Sequence, residues 1–568
     1  MANDTTAAVM TYMQFLTANT FDHKPFQEDC FEWCMKKEQA QQVEQQQQQA
    51  EQQQAEQQQQ QTGGIIALEM GLGKTIVMLA VTFCNPKNQT LIVVPKSLLS
   101  QWISILKKTT PSPSLLVYHS GYNGLKKITK SDLKKYQIVL TTYSHVSLPK
   151  KNQPTNGEQV LPHHIPFLNQ FKWDRVICDE AHHASNRSTS AYKGIALLNT
   201  GMMWMVTGTP IQNKKSDLTN LLKLITKSTA TAFANIKDMV YYRTKANVAI
   251  SMPPLHEHNI RVECDTNAEE ELSRHIHSMV EYCNVPKKSI AMEEVMEEED
   301  PRVLTMKYFT LARQACVYPP MLQHTIWRFE TKMRSRNMRN KQDPTTNSES
   351  ESEYMAITPS DLYTSESKVD SLITTIRGRI NNGCGKLIMC YFHEEIDAIA
   401  ARLAPYGKRI VTLDGRSTKR ERTAALTKPA DILIGQIRMC SEGLNLQEHY
   451  SEVYFTSPHF NPAIEQQAIA RCWRIGQTKE VNVFRFITHY KETKKDSEII
   501  AREHTMDTYS EKIQLKKQEI LSIFEEEAMR TPMAQQIILP TYTQHQQKPQ
   551  RIRDRRIILK KKDHQIKA

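Results

Sequence analysis

The chain has 568 residues, of which 39% are apolar and 24% charged, and it carries a formal net charge of +12. The length exceeds what one core holds and implies two to four domains, and the composition is that of a globular protein. With no run of about 18 apolar residues a membrane span is not expected, and MANDTTAAVM lacks the basic-then-apolar layout of a signal peptide. The eleven cysteines show no CxxC pair and no Cys/His cluster of zinc spacing, which points to reduced thiols in a cytosolic or nuclear protein.

In chain order, residues 1–40 form an N-terminal segment and 41–61 a Gln-rich low-complexity insertion able to prolong a preceding helix. Residues 62–250 follow as a first α/β lobe, in which TLIVVP, QIVLTTY, RVICDE and MWMVTGT read as buried parallel strands. Residues 251–366 read as a helical insertion and a polar linker centred on QDPTTNSESESE. The strand pattern restarts in 367–504 with KLIMCYF, RIVTLDG, DILIGQI and EVYFTS, a second α/β lobe. A helical brace over 505–530 and a basic tail over 531–568 close the chain. The last eighteen residues hold eight Lys/Arg and two Asp, so half of the positive excess lies there and any nucleic-acid grip in the body must be local. Such a tail fits a nuclear-import signal, a DNA tether or a solvated terminus.

GGIIALEMGLGKT, residues 63–75, reads as a strand, a glycine turn and a helix start: a phosphate cradle made by Met70, Gly71, Leu72, Gly73 and the backbone that follows. Lys74 would reach the outer phosphates of ATP, and the Thr75 hydroxyl would hold Mg²⁺. Leu68 stands six places before the lysine, where such loops usually carry Gly, Ala or Asp. RVICDEAHH ends a strand with Asp179, a second Mg²⁺ ligand through water, and Glu180, which can orient or deprotonate an attacking water. In QQAIARCWRIGQT, Gln467, Arg471 and Arg474 recur at helical spacing, so two guanidiniums on one helix face could reach a phosphate across a cleft between lobes.

KPFQEDCFEWC, GLGKT, TLIVVPKSLLSQW, VLTTY, DEAHHASN, VTGTPIQN and RIGQT follow one another in the order of a helicase-like enzyme. In wording they resemble the Swi/Snf family of DNA-translocating ATPases; the compact size and the stretch QIRMCSEGLNLQEHYSEVYFTSPHFNP resemble, more narrowly, the global transactivator group of baculovirus proteins. The resemblance implies two tandem RecA-like doubly wound parallel-sheet lobes with helical insertions and a C-terminal brace. It implies a DNA-dependent ATPase using ATP and Mg²⁺, moving on double-stranded DNA in the nucleus beside chromatin or the transcription machinery. Gln27 then matches the adenine-reading glutamine, and Thr207, Gly208 and Thr209 match the segment linking ATP state to DNA grip. Pro95, Ser97 and Thr142 fall in backbone-touching segments. SEGLNLQ, with Ser441 and Asn445, matches a further DNA or coupling loop in which Cys440 and Ser441 replace the usual glycines. Arg416 in LDGRSTKRER is a phosphate contact or part of a solvated helix face, and Asn461 and Pro462 are the turn before the arginine helix or a simple cap. A strand-separating helicase and a non-catalytic DNA-binding scaffold are the competing functions.

Overall fold

The computed structural model describes residues 10–50, 62–123, 128–150, 153, 160–226, 236–248, 250–284, 301–322, 366–440, 444–490 and 505–529. Among the described residues nine strands lie in the first lobe: β1 (Thr62–Leu68), β2 (Thr90–Val94), β3 (Leu115–Tyr118), β4 (Ile138–Thr142), β5 (Lys172–Trp173), β6 (Arg175–Asp179), β7 (Asn199–Thr200), β8 (Met202–Val206) and β9 (Val240–Arg243). β5 and β7 make a two-stranded ribbon, and the other seven form one sheet in the order β3-β4-β2-β6-β8-β1-β9, every pair parallel. Helices cover both faces, so the central strands are apolar without alternation. Along β1, Ile66 and Leu68 enter one core while Ile65 and Ala67 enter the other, the period-two signature of a sheet buried on both sides.

The helix Pro25–Ala50 carries the N-terminal segment into this lobe and runs into the Gln tract, whose residues 51–61 lie outside the described residues. Trp33 packs on Trp204 and Tyr241, each with ring centroids 5.6 Å apart. Glu38, fully buried, accepts from Arg175 Nε at 2.8 Å, Trp204 Nε1 at 2.9 Å and Asn85 Nδ2 at 2.6 Å, and also from Arg175 Nη2. The ion pair thus ties the helix to β6 and β8 inside the core.

The second lobe is a six-stranded, all-parallel sheet made of β10 (Leu255–Val262), β11 (Gly385–Cys390), β12 (Ile410–Leu413), β13 (Ile432–Gln436), β14 (Tyr450–Phe455) and β15 (Val481–Thr488), in the order β10-β15-β14-β11-β13-β12. One element departs from the sequence reading. LHEHNIRV, assigned there to the helical insertion, is the edge strand β10, in register with β15 from Leu255–Val481 to Val262–Thr488. Most of its side chains are exposed, so it is held by backbone pairing and shows little apolar period.

The helices Asn267–Asn284 and Pro301–Val317 build a small core from Leu272, Ile276, Leu311, Ala312 and Met506. Met506 opens the long helix Met506–Met529, which crosses from lobe to lobe. Its Gln514 donates to His459 O and Glu465 Oε1 of the second lobe, and Lys517 donates to Phe460 O and to Asn213 Oδ1 of the first. Phe524 is buried in the first lobe against Tyr242. Among the described residues no helix is long and apolar enough to cross a membrane.

Candidate nucleotide site between the lobes

β1 delivers the chain to the loop at Glu69. Gly71 has φ 90° and Gly73 φ 82°, left-handed conformations that a side chain strains. A Cβ at Gly71 would stand 3.1 Å from Arg474 Cβ, and one at Gly73 would collide with Gln27 Nε2. The loop therefore touches both the N-terminal helix and the far lobe. Gly73 caps the helix Lys74–Cys84 without a side-chain bond, leaving the first backbone N–H groups directed at an incoming anion. Leu68 buries its side chain completely in the core, and its carbonyl accepts from Lys74 Nζ at 2.9 Å. The unusual leucine thus lies beneath the cradle and takes nothing from it.

Burial pushes the Lys74 ammonium below its ordinary range, against the pull of Glu180 and Asp179. Asp179 Oδ2 accepts from Trp102 Nε1 at 2.8 Å and Oδ1 from Glu180 N at 3.0 Å. Burial and the neighbouring Glu180 raise the Asp179 carboxyl above its ordinary range. Burial acts the same way on Glu180, but His182, Lys74 and Arg471 outweigh it and hold that carboxyl below its ordinary range. Glu180 sits at φ 50°, ψ 51°, a strained conformation for a side-chain-bearing residue, of the kind that gathers at functional sites. His182 Nδ1 lies 3.3 Å from Glu180 Oε2 and 3.4 Å from Thr207 Oγ1.

The second lobe brings its arginines to this cleft. Arg471 acts on Lys74 and Glu180 alike, and the backbone of Arg474 packs over Gly71. They do not share a helix face as the spacing suggests. The helix Pro462–Ile469 ends first, Arg471 N and Cys472 N turning to Ala468 O and Ile469 O three residues back. The Arg471 carbonyl instead accepts from Leu446 N at 3.1 Å, which takes it out of the helical ladder. The two arginines therefore stand on a turn. Gln467 remains in the helix, buried.

The residues fit a nucleotide with magnesium. Gln27 Oε1, Gln467 Nε2 and Arg474 Nε are buried with no hydrogen-bond partner among the described residues, each a cost of about 1–3 kcal/mol that a polar ligand relieves. Gln27 Nε2 donates to Leu72 O at 2.9 Å, which aims its free carbonyl oxygen as an acceptor. Thr75 follows Lys74 at the helix start, and the carboxylates acting on Lys74 are Glu180 and Asp179. A hydroxyl with one carboxylate suits Mg²⁺ shared with phosphates.

The residues expected at DNA fall into separate groups. Pro95 and Thr142 close the adjacent strands β2 and β4, where Val94 and Thr142 are in register, and Ser97 is exposed just beyond. Thr142 Oγ1 lies 2.9 Å from both Ser144 Oγ and His145 Nδ1. Thr207 N donates to Ile66 O at 3.0 Å, Thr209 N donates to Thr207 Oγ1 at 3.2 Å, and a Cβ on Gly208 would stand 3.1 Å from Lys74 Nζ. This segment therefore lies against the phosphate loop. Two of these residues have partners within the protein. Arg416 spends its guanidinium on Asp397, at 2.8 and 2.7 Å, and on Asp414, because both carboxylates lie within its reach. Asn445 turns its Oδ1 to Arg474 Nη1. Ser441 lies outside the described residues, and Cys440 is buried.

Three contributors escaped the sequence reading. Lys245 ion-pairs with Glu69 at 3.3 Å, Gln212 Oε1 accepts from Asn461 Nδ2 of the second lobe at 3.4 Å, and His182 joins Glu180 to Thr207. His182 had a signal in DEAHH and Gln212 in VTGTPIQN, though not for its partner Asn461; Lys245 had none, since its partner Glu69 is 176 residues away.

Comparison with known proteins agrees with this architecture. The SNF2-related domain matches residues 26–321, and the helicase conserved C-terminal domain matches 367–476. The chain is 24% identical to the DNA excision repair protein ERCC-6-like of Danio rerio, over 85% of this chain and 37% of that protein. It is also 24% identical to the probable global transactivator of Orgyia pseudotsugata multicapsid polyhedrosis virus, over 75% of this chain and 82% of that protein. Among solved structures, the Sulfolobus solfataricus SWI2/SNF2 ATPase core in complex with dsDNA aligns over 90% of this chain and 97% of that one, with 18% identity and a TM-score of 0.34. The chain spans 17–54% of the length of several eukaryotic relatives. With two parallel-sheet lobes facing each other across a phosphate loop, and a family match over more than half its length, the chain belongs to the SNF2-related family of helicase-like proteins.

Proposed function

We propose that the protein hydrolyses ATP in the cleft between its lobes and uses the cycle to move along double-stranded DNA. The observation that carries this reading is Arg474 packed over Gly71, with Arg471 acting on Lys74 and Glu180: positive charge from one lobe reaches the phosphate loop of the other. The loop N–H groups and Lys74 hold the phosphates, Lys74 exchanging Leu68 O for a phosphate oxygen. Gln27 reads the base with its unpaired carbonyl oxygen. Glu180, kept ionised, orients the attacking water and takes its proton as the bond to the leaving oxygen breaks. Arg471 and Arg474 neutralise charge on the transferring group, a role worth on the order of 10³–10⁵ in rate. Thr75, and Asp179 through water, would hold magnesium, which would further neutralise the phosphate oxygens.

Coupling to DNA has a candidate route. From Glu180 the contacts run to His182 at 3.3 Å, Thr207 at 3.4 Å, Thr209 at 3.2 Å, Gln212 at 3.4 Å and Asn461 in the second lobe at 3.4 Å. Hydrolysis at one end therefore alters the register of the lobes at the other. The relatives named for DNA repair and transactivation favour duplex DNA as the track, in a nucleus and beside chromatin or the transcription machinery. ATP hydrolysis is measured without nucleic acid and with duplex DNA, single-stranded DNA and RNA at two salt concentrations. Stimulation by duplex DNA, weakened by salt, is expected; stimulation by single-stranded RNA alone overturns the proposal.

A further inference from the structure

We propose that Lys245 is a positioning residue of the nucleotide site, a strut through which closure of the second lobe sets the phosphate loop. The inference rests on the ATP cleft proposed above. β9 pairs with β1 up to Leu68–Arg243, and Glu69 N donates to Arg243 O at 2.8 Å, so Lys245 emerges beside the loop. It grips Glu69 twice: its backbone N–H donates to Oε2 at 2.7 Å, and Nζ lies 3.3 Å from Oε1. The same ammonium donates to the Trp473 carbonyl at 2.9 Å and stands 4.3 Å from the centre of the Trp473 ring. Trp473 is fixed in turn by its indole N–H on Pro253 O at 2.8 Å.

The strut therefore has one end on the residue after Leu68, whose carbonyl holds Lys74, and the other on the peptide between the two arginines. Only 5% of the Lys245 side chain is exposed, so its charge is spent on these partners. Burial pushes the ammonium down, and Glu69 works against it. A buried cation beside Lys74 and Arg474 is repelled by both. Its retention there needs Glu69, the Trp473 carbonyl and the indole together.

The test uses the full chain with Lys245→Ala, Lys245→Met, Lys245→Arg, Glu69→Gln/Lys245→Ala and Arg474→Ala. Duplex-stimulated kcat and KM, affinity for a fluorescent ATP analogue and melting temperature are measured. Lys245→Met keeps the apolar stem on Trp473 and reads loss of charge in a folded chain. Misplacing the arginines by about 1 Å lowers kcat about 10²-fold in the Ala and Met variants, while analogue affinity stays within about threefold. Lys245→Arg, whose guanidinium serves carboxylate, carbonyl and ring alike, recovers to within about tenfold of the parent, and Glu69→Gln adds nothing to Lys245→Ala. A parental kcat in Lys245→Met beside a dead Arg474→Ala overturns the strut alone, as do multiplying losses at Glu69 and Lys245 or no recovery by arginine. An active Arg474→Ala overturns the cleft reading itself.

Discussion

Gly73→Ala tests the phosphate loop and the base-reading glutamine together. The position has φ 82°, where a Cβ costs about 1–2 kcal/mol. The added methyl would also collide with Gln27 Nε2, and the flexible amide escapes only by leaving Leu72 O, a hydrogen bond worth about 1 kcal/mol. The total, about 2–3 kcal/mol, should appear in equilibrium denaturation. In a Gln27→Ala background the collision is gone, and Gly73→Ala should cost only the backbone share, leaving a coupling of about 1 kcal/mol in the double-mutant cycle. ATP and GTP titrations complete the assay: Gly73→Ala and Gln27→Ala should each lose preference for adenine. Additivity within about 0.3 kcal/mol, or an undiminished adenine preference in Gly73→Ala, refutes the geometry on which the site is built.

Arg474→Ala should lower duplex-stimulated hydrolysis about 10³-fold while the protein still binds nucleotide; a tenfold loss or less contradicts a finger role. Glu38→Ala strands the buried Arg175 charge and should cost about 3–5 kcal/mol, read as a fall in melting temperature. His459 is buried, and burial and Arg313 lower its imidazole from 6.5 to about 4. Its folded value lies below its unfolded one, so its stabilisation is whole above about pH 6.5 and fades as pH falls toward 4, at most about 3 kcal/mol. His459→Gln should flatten the pH dependence of unfolding in that window, and an unchanged slope refutes the assignment. Arg416→Ala should leave the salt slope of DNA binding unchanged, since its guanidinium is committed to Asp397 and Asp414; a slope smaller by about one marks it as a phosphate contact after all.

Much of the fold was legible because buried parallel strands announce themselves. β2, β4, β6 and β8 are buried along their whole length with an apolar run at the centre of each, and β11, β13 and β14 are buried nearly throughout around LIM, ILI and VYF. β10 was not legible, being polar and edge-on, with its partner β15 more than 200 residues away. Within the site, residues whose chemistry is local stood out: glycines at positive φ, a lysine opening a helix, acids ending a strand. The arginines were recognisable as a pair, but their placement on a turn depends on Leu446 claiming the Arg471 carbonyl.

The sequence by itself determined the two-lobed α/β architecture and the charged groups able to meet a triphosphate, because apolar periodicity and backbone demands are written in neighbouring residues. Only the tertiary structure decided which charges are spent. Arg416 is taken up by Asp397, and Glu38 is buried on Arg175. Lys245 is shared between Glu69 and Trp473. A charge's role follows from its desolvation and its nearest partners, and in this fold those partners arrive from distant parts of the chain.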